Sequence, residues 1–381
     1  MAGALAGLRI VEFLGIGPGP FAGMMLADHG AEVIRVGRPG AQESFGDFDR
    51  FDVLARSRRT IAIDMKSADG LAIVRDLVGS ADGLIEGFRP GVMERLGLGP
   101  DTLITENPRL VYGRMTGWGQ DGPLAQSAGH DINYVAINGV LSTVGRPGER
   151  PVVPVNYTGD FGGGGMLLAF GMVTALLAVA RGASGQVVDA AMVDGSALLS
   201  GMVWQMKAAG MWNGPAGANL LDGGAHFYDT FACADGRYVT IGAIEPQFYV
   251  ALRRILGLAE DQAFDEQMDR ARWPALREKI AAVIATRARD EWCTAFEGHD
   301  ACFAPVMTLD EAPGHPHIAA RGTLTETNGQ IQPAPAPRLS ATPPLPPRPP
   351  RRAGQDTEIV LSLIGYSAER IAALRASGVI A

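Results

Sequence analysis

The sequence predicts an α/β protein that combines a large parallel-sheet domain with a smaller α+β domain. Apolar runs separated by helical patterns recur through the first 200 residues, which is typical of βαβ units and a parallel sheet. From about residue 220 the pattern changes to an antiparallel hairpin followed by helices rich in Arg, Glu and Ala. A chain of 381 residues is long enough for two such domains.

The N-terminal elements follow from alternating apolar runs and turn residues. Residues 8–14 predict a buried strand, 15–20 a Gly/Pro turn, 21–29 a helix and 31–36 a second strand. A helix is predicted after Ser67, and a Gly-rich helix is predicted to begin near Gly165. The remaining strands of this domain are predicted at 60–65, near Leu84, at 109–115 and at 186–192.

The second half of the chain has a different texture. Residues 228–233 and 238–243 predict a hairpin, and 9 of the 25 prolines lie in 333–350, which indicates an extended spacer. Helices near Glu358 and after Ser367 are expected to pack back on the first domain. The predicted boundaries are a large domain at 1–200 completed by 330–381, a linker at 201–224, a small domain at 225–320 and a Pro-rich return linker at 321–354.

Composition and charge exclude several classes of function. The net charge of −8 disfavours a nucleic-acid partner, because binding to phosphate backbones requires a basic excess. Three cysteines without a CxxC spacing predict neither a disulfide framework nor a thiolate metal site. Residues 161–180 carry no charge, but their small-residue pattern predicts a buried core helix and no membrane span. With no secretory signal in the sequence, we expect a cytoplasmic location.

The residue patterns leave the site open between chemical and structural roles. Gly15, Gly17 and Gly19 form part of a dinucleotide-binding pattern, but Pro20 occupies the place of its last glycine, so nicotinamide binding is not favoured. His130 lies in a loop on the carboxyl side of a predicted strand, where ligands of α/β proteins bind, yet it equally fits a structural histidine. Asp160 precedes the predicted Gly-rich helix, as a helix cap or as an ionised carboxylate would.

Seven motifs in order give the chain a family resemblance. They are GIGPGP, GFRPGVMERLGLGP, RMTGWGQDGP, GHDINY, GDFGGGG, GQVVDAAMVDG and CADGRYVTIGAIEPQFY. Together they resemble the α-methylacyl-CoA racemases, a branch of the family III CoA-transferase superfamily, and GHDINY with Asp160 and Glu245 matches that branch. The resemblance implies a large Rossmann-like domain built from both chain ends, a small domain from the middle, and two subunits interlocked as a homodimer.

The resemblance also implies a reaction and its residues. His130 and Asp160 would be two bases on opposite faces of the α-carbon of a 2-methylacyl-CoA, with Glu245 paired to His130 and Asn156 near Asp160. One base removes the α-proton, an enolate forms, and the other base returns a proton to the opposite face. The Asp131 backbone amide would stabilise the enolate oxygen, and no metal or organic cofactor is expected.

CoA itself would be held by a set of cations and loop residues. Arg and Lys suit its phosphates, and loops line the pantetheine. The resemblance assigns Arg38, Lys66, Gly87, Phe88, Arg89, Arg95, Gly129 and Tyr134 to this role.

Two other functions fit the same sequence. In a family III CoA-transferase, Asp131 would attack the thioester carbonyl and carry acyl and CoA groups covalently. A regulatory protein that only binds CoA would have no need for the paired bases His130 and Asp160. The retained bases favour racemisation over both.

Overall fold

The computed structural model describes residues 3–40 and 51–381, and the chain divides into two compact units. The first unit comprises Met1–Asn138, Val155–Leu199 and Ala319–Ala381. The second comprises Gly139–Pro154 and Ser200–Ile318. The first unit thus draws on both ends of the chain and the second on its middle.

The described residues form eleven strands and fourteen α-helices. The strands are β1 (Arg9–Phe13), β2 (Glu32–Gly37), β3 (Arg59–Ala62), β4 (Gly83–Glu86), β5 (Val111–Thr116), β6 (Gln186–Ala191), β7 (Tyr228–Ala232), β8 (Tyr238–Gly242), β9 (Phe303–Pro305), β10 (Leu324–Thr327) and β11 (Gln330–Pro333). The helices are α1 (Pro18–Asp28), α2 (Ala68–Gly79), α3 (Val92–Arg95), α4 (Pro100–Glu106), α5 (Asp131–Ile137), α6 (Leu167–Ala180), α7 (Met192–Leu199), α8 (Gly201–Ala208), α9 (Pro246–Ile255), α10 (Trp273–Ile284), α11 (Arg289–Phe296), α12 (Pro316–Arg321), α13 (Thr357–Leu363) and α14 (Ala368–Ala376). A π-helix, Tyr157–Met166, leads directly into α6.

A six-stranded sheet in the order β3-β2-β1-β4-β5-β6 organises the first unit. Each neighbouring pair is parallel, with Val11 opposite Ile34 and Val11 opposite Leu84. The predicted α/β class with a parallel sheet is confirmed. The direction of strand succession reverses between β1 and β4, and in such sheets ligands bind beyond the carboxyl ends of the strands at this point.

Helices cover both faces of the sheet. Successive side chains of a strand point to opposite sides, so neighbouring residues of β1 belong to different cores. Val11 belongs to a core that packs against α2 and the C-terminal helices α13 and α14. Its neighbour Ile10 belongs to a second core with α1 and α6. The C-terminal helices therefore return to the first unit as predicted, and the side chains of Ser67 and Ser367 cap α2 and α14.

The second unit is built on the antiparallel order β7-β8-β9. The predicted hairpin is β7 and β8, joined with Thr230 opposite Thr240. Helices α9, α10 and α11 cover the sheet, and Phe227, Trp273 and Trp292 fill the core between them.

Two segments expected to be linkers contain regular structure. Helix α8 lies within residues 201–224, and the antiparallel pair β10–β11 lies within residues 321–354. The polar β10–β11 turn has Asn328 and Gly329 at positive φ, which suits a tight hairpin. Composition alone does not distinguish these short elements from linkers.

The apolar run predicted as a core helix is longer than expected. Tyr157–Ala180 is continuous, and by length and composition alone it could cross a membrane. Half of its most apolar 18-residue stretch is buried within the protein, where Leu168, Met172 and Val179 join the second core.

Candidate active site

The candidate site lies where loops leave the carboxyl ends of the strands. The turn containing Gly17 follows β1, the turn beginning at Gly87 follows β4, and the long loop to His130 follows β5. Because β1 and β4 flank the reversal of strand order, these loops surround the crevice expected to hold a ligand.

His130 occupies the N-cap position of α5. Its backbone N–H donates to Asn133 Oδ1 at 3.0 Å, and its carbonyl accepts from the Asn133 N–H at 2.8 Å. This reciprocal pair fixes the backbone at the start of the helix, while the His130 side chain is exposed. The imidazole is thus free to meet a ligand.

The loop before His130 is held by aromatic packing. The Tyr134 hydroxyl donates to the Gly129 carbonyl, and the ring of Trp118 meets the ring of Tyr134 edge-on at 4.7 Å. A Cβ on Gly117 would lie only 2.1 Å from the Tyr134 ring, so the ring requires glycine there. Gly129 and Tyr134 therefore shape the loop itself, and their predicted contact with CoA stays a prediction.

The π-helix carries Asp160. Helix α6 begins at Leu167, close to the predicted start near Gly165, but the sequence did not predict the π-helix before it, which begins at Tyr157 with Asn156 as its N-cap. The Phe161 N–H donates to the Asn156 carbonyl at 3.3 Å, five residues back. Asp160 therefore lies in the first turn of the helix and is not the residue that caps it.

Glycines allow this helix to pack against two neighbours at backbone distance. A Cβ on Gly163 would lie 2.4 Å from the Ser196 nitrogen of α7, and one on Gly165 would lie 2.8 Å from the Pro18 carbonyl oxygen of α1. Real side chains do not tolerate such distances. The GGGG run is thus a packing device that brings Asp160 to the N-terminal end of α1.

The Asp160 carboxyl is half-buried beside the turn after β1. Its Oδ2 accepts from Asn156 Nδ2 at 3.0 Å, and a Cβ on Gly17 would lie 3.5 Å from the same oxygen. Burial raises the pKa of Asp160; the Asn156 hydrogen bond opposes this shift, the charge of Asp131 adds to it, and His130 opposes it. The predicted proximity of Asn156 and Asp160 is present in the structure.

The Asp131 side chain points into the protein. Only 6% of Asp131 is exposed, and its Oδ2 accepts from the backbone N–H groups of Gly159 and Asp160 at 2.7 and 2.8 Å. Nothing in the sequence pattern shows whether the Asp131 side chain is a buried hydrogen-bond acceptor or an exposed nucleophile.

Glu245 lies in the second unit, at the N-cap of α9 and before Pro246. Its side chain is exposed at the end of the connection from β8 to α9. Its pairing with His130 stays a prediction.

Four predicted CoA-binding cations follow strands of the sheet. Arg38 follows β2, Lys66 follows β3, and Arg89 and Arg95 follow β4, and all four are exposed. Across residues 3–40 and 51–381, no ion pair joins any of them to a carboxylate. They are available to an anionic ligand.

A buried carboxylate that the sequence analysis missed supports the Gly87–Phe88–Arg89 turn. Glu86, the last residue of β4, accepts from the Phe88 N–H at 2.7 Å and from Arg114 Nε at 2.9 Å. An acidic residue at the end of the apolar run of β4 was a usable sequence signal, because a carboxylate that such a strand buries requires a partner.

These features define an α/β protein with a candidate proton-transfer site and free cations at the carboxyl end of its sheet. Residues 5–357 match the CoA-transferase family III. The chain is 46% identical to the alpha-methylacyl-CoA racemase of Mus musculus, over 99% of this chain and 97% of that protein. It is 45% identical to the Homo sapiens protein of the same name, with the same coverage.

A solved structure agrees with these sequence comparisons. A CAIB/BAIF family protein from Brucella suis superimposes with a TM-score of 0.82 at 25% identity, covering 96% of this chain and all of that one. The chain belongs to the CoA-transferase family III.

Proposed function

We propose that this protein is an α-methylacyl-CoA racemase, an isomerase that interconverts the (2R) and (2S) epimers of 2-methylacyl-CoA thioesters. Its similarity to two racemases over nearly the whole of each chain supports the reaction class. The observation that supports the mechanism is that His130 and Asp160 lie at two helix starts joined by Asp131, the residue after His130, whose Oδ2 accepts from the Asp160 N–H at 2.8 Å.

The reaction needs one of the two bases deprotonated and the other protonated. A base removes the α-proton, the electron pair of the C–H bond moves into the enolate, and the protonated second base delivers its proton to the opposite face. An ordinary imidazole has a pKa of about 6.5 and an ordinary aspartate about 3.9. Burial raises the pKa of Asp160 above the value of an ordinary aspartate, which makes its carboxylate a stronger base.

The enolate oxygen needs a hydrogen-bond donor, since neither base alone is strong enough for a thioester α-carbon. Asp131 is the first residue of α5, so its N–H has no acceptor within the helix. A preorganised backbone donor of this kind contributes about 3 kcal/mol to such a reaction. We assign this role to the Asp131 amide, with Glu245 as the partner of His130 and with no cofactor beyond the CoA of the substrate.

The CoA phosphates would bind the free cations beyond the sheet. Arg38, Lys66, Arg89 and Arg95 carry positive charge at the carboxyl ends of three strands, although the chain as a whole carries −8. The Gly87–Phe88 turn would run along the pantetheine. Their exposure and lack of ion pairs in the described part of the chain support this assignment.

Covalent CoA transfer through Asp131 is less well supported. The Oδ2 of this carboxylate is occupied by two backbone N–H groups, and the side chain is buried. Attack on a thioester by the other oxygen, Oδ1, would require this buried atom to become accessible to the substrate.

The homodimer belongs to the same proposal. Met166, Phe170, Val173 and Leu177 follow a helical spacing and are all between 41% and 70% exposed, forming an apolar stripe on the Tyr157–Ala180 helix. Such a stripe marks an interaction surface, and we assign it to a second copy of the chain, in the cytoplasm. Light scattering should give twice the chain mass of 40.1 kDa, and a monomer would contradict the assignment.

The decisive experiment follows deuterium uptake. Each epimer of a 2-methylacyl-CoA is incubated with the protein in deuterated buffer, and α-deuterium and the epimer ratio are measured together. Wild type should exchange and epimerise both. His130→Ala should stop exchange from one epimer and Asp160→Asn from the other, whereas His317→Ala, at an exposed histidine of the second unit, should behave as wild type.

The outcomes separate the candidate functions. Transfer of CoA to an added carboxylic acid without exchange would establish the transferase. Binding of CoA without either reaction would establish the regulatory protein. Unchanged exchange of both epimers in His130→Ala would remove His130 from the mechanism.

A further inference from the structure

A single buried carboxylate links the two predicted bases. Asp131 follows His130 directly, and its Oδ2 accepts from the Asp160 N–H at 2.8 Å and from the Gly159 N–H at 2.7 Å. Asp131 is thus the sequence neighbour of His130, and its side chain accepts a hydrogen bond from the backbone of Asp160. It therefore connects the two predicted bases.

The hydrogen bonds satisfy N–H groups that the π-helix cannot pair. Gly159 and Asp160 lie in the first turn, where helical N–H groups have no intrahelical acceptor. Hydrogen bonds to an ionised acceptor are shorter and stronger than neutral ones. The Asp131 carboxylate therefore caps a helix in which it does not itself reside, and it joins the start of α5 to the start of the π-helix.

The fit at this junction is close. A Cβ on Gly159 would lie 2.4 Å from Asp131 Oδ2, so glycine is required for the carboxylate to reach both amides. The other oxygen, Oδ1, is buried and makes no hydrogen bond within the described residues. The carboxylate is thus committed to the backbone of the π-helix and is turned away from solvent.

We propose that the Asp131 side chain is a positioning residue that sets the separation of His130 and Asp160, and that it carries no acyl group. This inference rests on the proposed racemase function. Proton transfer is sensitive to such placement, since a displacement of about 1 Å can cost about 100-fold in rate. The Asp131 backbone amide and side chain would then serve the reaction separately, one at the enolate and the other at the bases.

Two substitutions distinguish positioning from nucleophilic attack. Asp131→Asn keeps an oxygen that can accept from both N–H groups, whereas Asp131→Ala removes the acceptor. We expect Asp131→Ala to lower kcat about 100-fold with little change in KM, and Asp131→Asn to restore kcat to within about tenfold of wild type. Asp101→Ala, at an exposed acid in the first turn of α4, is the matched control and should leave both parameters unchanged.

The pH profile gives a readout that a merely structural role would not move. The charge of Asp131 raises the pKa of Asp160, so Asp131→Asn should shift the acidic limb of kcat to lower pH. Equal inactivation by Asn and Ala, with an acyl group trapped on wild-type Asp131, would overturn the proposal. Wild-type kcat in Asp131→Ala would overturn it as well.

Amide hydrogen exchange tests the linkage without any substrate. Peptides containing Gly159 and Asp160 should lose protection in Asp131→Ala and keep it in Asp131→Asn. Equal protection in both variants would refute the linkage. If wild type failed to exchange α-deuterium, the proposed function would fall, and the amide protection would still decide whether Asp131 fixes the start of the π-helix.

Discussion

Replacing Gly195 by alanine should loosen the packing that positions Asp160. A Cβ on Gly195 would lie 1.9 Å from the Gly163 carbonyl oxygen, and the nearest atoms belong to backbone that cannot rotate away. Overpacking of this kind costs about 3 kcal/mol, at the upper end of the usual range. Alanine returns about 1 kcal/mol through its better helix propensity, which leaves a net loss of about 2 kcal/mol.

Urea unfolding followed by circular dichroism measures this loss, with Gly79→Ala as the matched control. Gly79 is the last residue of α2, and a Cβ there would meet nothing within 4 Å, so alanine should raise stability by up to about 1 kcal/mol. Racemase activity of Gly195→Ala should fall along with its stability. If Gly195→Ala were as stable as Gly79→Ala, the close approach of α7 and the π-helix would not constrain the site.

Two further substitutions test the electrostatics. Arg114→Met should cost about 3 to 5 kcal/mol at neutral pH by leaving Glu86 buried and unpaired. Because burial raises the pKa of Glu86 in the folded state, this deficit should shrink as pH falls and grow as pH rises through that pKa; equal deficits in urea at pH 5 and pH 8 would contradict the reasoning. Lys66→Glu should raise KM for the acyl-CoA about tenfold at low salt, with a smaller effect at high salt. Arg109→Glu, which precedes β5 at the opposite end of the sheet, should leave KM unchanged.

The sheet was predictable because its signals are local. Apolar runs located β1 and β2, and Ser67 marked the start of α2, where its hydroxyl accepts from the Gly70 N–H at 3.0 Å. The π-helix that leads into α6 was not predicted, because glycine disfavours helices in isolation. Its start at Tyr157 depends on contacts with α1 and α7, which lie elsewhere in the chain.

The sequence predicted candidate residues for the site but not the connections between them. The positions of His130 and Asp160 in the sequence made them candidates, Asn156 entered through motif resemblance, and the structure brings Asn156 and Asp160 into contact. The inward direction of Asp131 depends on the position of Gly159, 28 residues later, and no local pattern encodes it. The placement of Gly17 beside Asp160 is likewise a consequence of the fold.

The environment of Asp160 reconciles two opposing requirements. A strongly hydrogen-bonded aspartate would be too weak a base, and a fully buried one would not ionise. The first turn of α1 begins with Pro18 and includes Pro20, neither of which has an N–H to donate, so it offers the nearby carboxylate few hydrogen bonds. Asn156 supplies one, while Asp131 takes the amide of Asp160 itself. Burial raises the pKa of Asp160 and the single hydrogen bond from Asn156 opposes this shift, so the two requirements of the proposed proton-transfer role act on the carboxyl in opposite directions.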